Sequence, residues 1–156
     1  MKACIRGLVV GVGVLALAAG LSACGGGEET LPAGTLTKGQ FLAKAAPICA
    51  QGAKEAQKAD DAAWNRYQPD HITEDESILN KISLALVPAR EKVVHRLRAI
   101  GLPKGDEQQV DEILTAAEEG FEEGREDPPL LREGTKEFGL VRASEMGSKY
   151  GLEGCW

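Results

Sequence analysis

Apolar residues recur at three- and four-residue spacing from Phe41 almost to Tyr150, the period of helices that bury one face. A first helix is expected from Thr37-Lys38-Gly39-Gln40, which has the form of a capping box: the threonine hydroxyl accepts from a first-turn amide and the glutamine reaches back. Its stripe is Phe41, Ala45, Ile48, Gly52, Ala56 and Ala59, and the turn chemistry of Gln68-Pro69-Asp70 ends it at about Tyr67. Pro47 lies inside this stripe, which predicts either a kink or a short helix followed by a longer one starting near Pro47.

A second capping pattern, Thr73-Glu74-Asp75-Glu76, predicts a helix from Thr73 with Ile78, Ile82, Leu86, Ala89, Val93, Leu97 and Ile100 inward, kinked at Pro88 and stopped by Gly101-Leu102-Pro103. A third runs from Asp106 to about Gly124 on Val110, Ile113, Leu114, Ala117 and Phe121. The fourth, from Pro129 to about Tyr150, carries Leu131, Phe138, Val141 and either Ser144 or Glu145 on its face. Its interior glycines, Gly134, Gly139 and Gly147, each cost about 1 kcal/mol relative to alanine, and close helix approach is a reason to keep them. Four amphipathic helices with short connections predict an all-α, up-down four-helix bundle over residues 37–156.

The front of the chain follows a different pattern. Lys2 and Arg6 precede an uncharged apolar run, Gly7 to Leu21, the layout of a secretory signal. It is shorter than the roughly 20 apolar residues that a membrane span needs. Leu21-Ser22-Ala23-Cys24 resembles the bacterial lipobox, at which prolipoproteins are lipidated on the cysteine and cut just before it. That resemblance implies a signal peptide over 1–23 and a diacylglycerol and fatty acyl (palmitate-type) anchor on Cys24. Two acyl chains hold a protein on a membrane where one would exchange. The segment 24–36, in which Cys24 is followed by three glycines, two acids, a proline and another glycine, reads as a flexible tether with a reach of about 20 Å.

Cleavage would remove Lys2 and Arg6 and take the net charge from -6 to -8, which disfavours nucleic acid as a partner. It would also remove Cys4, and with Cys24 committed to lipid, Cys49 and Cys155 remain. Two cysteines in an exported domain are most simply a disulfide. The bundle topology agrees independently, because the start of helix one and the end of helix four share one end. With few aromatic residues, the core is expected to be mostly aliphatic.

The capped start T-K-x-x-F, the setting Ala46-Pro47-Ile48-Cys49-Ala50 and the tail Tyr150-Gly151-Leu152-Glu153-Gly154-Cys155 together resemble small actinobacterial-type exported lipoproteins of unknown function. The resemblance supports the Cys49–Cys155 pairing and implies no activity.

Candidate chemistry is sparse. Glu91 and His95 stand one helical turn apart and read as a surface contact rather than a ligand pair; His71 sits in a turn and reads as solvated. No Glu-x-x-His, His-Glu-x-x-His, Gly-x-Ser-x-Gly or Ser-x-x-Lys occurs. Between Asp106 and Asp127 ten acidic residues face a single base, Arg125. Glu118, Glu119, Glu122 and Glu123 could collect divalent cations, but a straight helix diverges its oxygens, so they read as a solvated face balancing Arg90, Lys92, Arg96 and Arg98. Trp64 and Tyr67 read as a hydrophobic cap, and Trp156 as folding back over the disulfide.

The expectation is therefore a non-enzymatic lipoprotein on the extracytoplasmic face of the cell membrane, without cofactor or metal, acting as a binding or interaction module toward an envelope protein. The alternative is a carrier or sensor of a small ligand or divalent cation. A groove lined by Trp64, Tyr67 or Phe121 with convergent polar groups would favour the carrier, and a filled bundle the interaction module.

Overall fold

The computed structural model describes residues 35–70 and 73–156. The signal segment, Cys24, the tether up to residue 34 and His71 lie outside the described residues. The chain forms α1 (Lys38–Tyr67), α2 (Glu76–Ala99), α3 (Glu107–Glu126), a single-turn α4 (Leu130–Glu133) and α5 (Gly139–Tyr150). No helix among the described residues is long and apolar enough to cross a membrane.

The helices pack as an all-α bundle. α1 lies along α2 and α3 along α5, the two pairs meet where α2 faces α3, and α4 touches both of those. α1 and α5 are joined through side chains and the C-terminal tail. At one end the Phe41 and Tyr150 rings meet edge to face, with centroids 6.3 Å apart, and Lys38 Nζ sits 4.1 Å from the Tyr150 ring centre. Farther along α1, Cys49 is bonded to Cys155. The expected staple is thus present, and it joins the first half of α1 to the segment that follows α5. The core is mostly aliphatic, centred on Val93, Val94, Leu97, Val110, Ile113 and Leu114, with Phe41 and Phe121 buried among them.

The Thr37 capping box forms as expected: Gln40 N–H donates to Thr37 Oγ1 at 3.3 Å and Thr37 N–H to Gln40 Oε1 at 2.9 Å. α1 then runs unbroken through Pro47, and α2 through Pro88. Both prolines are exposed, so the carbonyl one turn back that loses its N–H donor can be hydrated. α2 starts at Glu76 rather than at Thr73, because the cap is Asp75, whose carboxylate accepts from Ser77 N–H at 2.8 Å. Those bonds from Ser77 hold the Asp75 carboxyl below the usual range. Thr73 instead accepts from Asp75 N–H and shapes the turn that leads in.

Leu36, which composition assigns to the tether, is buried, and its carbonyl accepts from Lys104 N–H at 2.7 Å beside Pro103. Among the described residues, the core cluster and both ends of the disulfide lie between Leu36 and Cys155.

The expected fourth helix is two. The chain leaves helical geometry at Gly134 (φ -52, ψ 133) and resumes at Gly139. Two contacts hold the break: Phe138 turns inward to 5 % exposure, and Glu123 on α3 accepts from Gly139 N–H at 2.9 Å. A carboxylate at that position satisfies a first-turn amide and complements the helix dipole. The buried face of α5 is Gly139, Ala143, Gly147 and Tyr150, while Ser144 and Glu145 are exposed. Small residues lie on this face because α5 lies almost in backbone contact with α3. A Cβ on Gly139 would stand 2.4 Å from Gly120 N and 2.5 Å from Ala116 O.

Candidate functional site

The site follows from how the two helix pairs meet. α1 and α2 are drawn together at Gly52, where a Cβ would collide with the Val93 side chain, and α3 and α5 at Gly120 and Gly139. Between the pairs, at the level of α4, the helices diverge and leave a cavity of about 230 Å³. Each element contributes to its wall. α2 supplies Ile82, Leu86 and Val87, α3 Phe121, α4 Leu131 and α5 Leu140, and Trp156 closes it from the tail. Trp156 is placed there by its neighbour Cys155 and by Gly147, against which the indole packs; a Cβ on Gly147 would come within 2.9 Å of that ring. A more open hollow along α4 and α5 shares Leu131, Leu140 and Trp156 with the cavity.

Three polar residues interrupt the apolar lining: Asp60 from α1, and Ser83 and Arg90 from α2. Arg90 is partly buried, and that burial pulls its guanidinium below the usual arginine range, although arginine stays protonated in proteins. Among the described residues neither the Arg90 nor the Asp60 side chain has a hydrogen bond or an ion pair.

The surrounding charges are matched differently from the sequence expectation. Of the basic run on α2, only Arg98 reaches the acidic helix. Its guanidinium takes both Glu118 oxygens at 2.8 Å, Asp111 Oδ1 at 2.6 Å and Thr115 at 3.1 Å, and the bond to Glu118 above all raises its pKa. Lys92 and Arg96 turn the other way, to Glu55 on α1 at 3.2 and 3.4 Å. On α3, Glu119 pairs with Arg142 of α5 at 3.3 Å, and Glu123 caps α5. Three of the four glutamates that the sequence reads as a solvated face therefore tie α3 to its neighbours.

Glu91 pairs with Arg125 and, with His95, Glu118 and Glu122, borders a shallow hollow between α2 and α3. Among the described residues no three His, Cys, Asp or Glu side chains converge to hold a metal ion. Asp106 opens α3 without capping it; its Oδ2 instead accepts from Tyr150 OH at 2.9 Å. Burial first, then that bond, raises the tyrosine pKa. Tyr67 is 36 % exposed beneath Arg66 and Lys81, and neither it nor Trp64 lines the cavity.

Fold and site together define a disulfide-closed helical domain with an apolar cavity and an unpaired guanidinium. Comparison with protein-family models, with curated proteins and with solved structures finds no match to this chain.

Proposed function

We propose that this chain is an exported lipoprotein, anchored through Cys24 on the extracytoplasmic face of a membrane, whose helical domain carries or senses a small amphipathic ligand. The observation behind the ligand reading is the cavity, apolar on most of its wall and lined by Phe121 and Trp156, with Arg90, Asp60 and Ser83 converging on it. A concave apolar site with a few placed polar groups is the common form of a small-molecule site, and a filled bundle would have supported the interaction-module reading instead. The anchor rests on the resemblance of Leu21-Ser22-Ala23-Cys24 to a lipobox.

The two halves are tested separately. Cys24→Ser is expected to move the protein from the membrane fraction to the soluble extracytoplasmic fraction; an unchanged membrane fraction would sink the anchor. The neutral dye N-phenylnaphthylamine is expected to bind the chain from Glu28 to Trp156 saturably, one per chain, with enhanced fluorescence. Ser83→Phe, which places a ring at the cavity wall, is expected to weaken that binding at least about tenfold, the effect of roughly 1.4 kcal/mol of lost contact. Absence of saturable binding to the unsubstituted chain counts against the carrier.

A further inference from the structure

Arg90 is the one member of the run Arg90, Lys92, Arg96 and Arg98 without an acidic partner among the described residues, and it is also the one that lines the cavity. A partly buried charge with no partner is unfavourable. An anion delivered into the cavity would remove that cost. The guanidinium fork matches a carboxylate, whose two oxygens it can take in parallel. Asp60 lies on the same cavity from α1 and disfavours a second negative charge there. The volume, about 230 Å³, suits one short apolar body and leaves no room for the two long chains of a membrane lipid.

Resting on the carrier reading, we propose that the cavity takes a free monoanionic amphiphile, an aliphatic or aryl carboxylate, with its acid group on Arg90 and its apolar body against Phe121, Leu131 and Trp156. Arg90 then acts as the group that selects the ligand's charge, and the aromatic and leucine wall selects its size.

The test is isothermal titration of residues 24–156 carrying Cys24→Ser, with sodium octanoate and with octanol as its uncharged counterpart. Octanoate is expected to bind at least about tenfold more tightly, the increment typical of a hydrogen bond to a charged group. Arg90→Met is expected to abolish the preference, bringing octanoate affinity down to that of octanol for the same variant, and Arg90→Lys, which keeps the charge but loses the fork, to fall between. Asp60→Asn is expected to tighten octanoate binding several-fold and so to widen the preference over octanol, and it reads out the same electrostatics should Arg90→Met fail to fold. Equal affinity for the two probes, a preference that survives Arg90→Met, or octanoate binding insensitive to Asp60→Asn would overturn the proposal and leave the carrier reading standing. Failure of both probes to bind would remove both.

Discussion

Replacing Cys49 and Cys155 together with alanine is expected to destabilise the domain by about 4 to 5 kcal/mol, the chain-entropy figure for a closed loop of this size. The two cysteines are 106 residues apart in sequence, so the bond restricts most of the unfolded chain. For a domain of this length, that loss corresponds to a fall in melting temperature of roughly 15 °C, measurable by circular dichroism. The consequence reaches the cavity, because Trp156 follows Cys155 directly and forms part of the wall. Below its lowered melting point, the double variant should therefore also bind N-phenylnaphthylamine more weakly. A melting temperature within a few degrees of the unsubstituted protein would mean that Leu152 and Tyr150, both buried, hold the tail without the bond.

Gly139→Ala is expected to cost about 3 kcal/mol or more, near the upper end for overpacking. Its new methyl would meet Gly120 N at 2.4 Å and Ala116 O at 2.5 Å. Both are backbone atoms that no rotamer change can move, so α5 has to withdraw from α3, weakening the Glu123 cap on Gly139 as it does. Gly120→Ala makes the reciprocal clash, with Leu140 N at 2.2 Å. The double variant should cost less than the sum of the singles, since helices already parted by one methyl accept the second. Gly39→Ala is the control: nothing lies within 4 Å of its added Cβ, and a helical glycine replaced without strain is expected to gain about 0.5 kcal/mol. Thermal melts of the four variants decide this, and a Gly139→Ala protein as stable as Gly39→Ala would refute the close packing of α3 on α5.

The long helices were legible because their buried stripes are apolar and keep one period: Phe41, Ala45 and Ala56 on α1, Val110, Ile113 and Phe121 on α3. The disulfide was legible from cysteine parity and topology. The division of the last helix was not, since Leu131, Phe138 and Val141 keep a spacing that an unbroken helix would satisfy. The signal for the true inner face was missing because Gly139, Ala143 and Gly147 carry almost no hydrophobicity; what they bury is backbone.

The cavity left no trace in the sequence for a related reason. Its wall takes residues from all five helices and the tail; Ile82, Leu86, Phe121 and Leu131 each read singly as core, and a void is a property of how they fail to meet. Of the aromatic residues named in advance for a groove, only Phe121 lines it. Arg90 was hidden in a basic run that reads as a solvated face. That Lys92 and Arg96 turn to Glu55, Arg98 turns to α3 and Arg90 turns to neither depends on the rotation of α2 between its neighbours, which charge patterning does not encode.

The most direct test of the ligand-carrying account is native mass spectrometry of the chain from Glu28 to Trp156, exported from its host in oxidised form, against the same sample denatured. The account expects a native mass in excess of the denatured chain, released on unfolding and absent from the Ser83→Phe variant. A bare native mass, as isolated and again after incubation with N-phenylnaphthylamine, would contradict it.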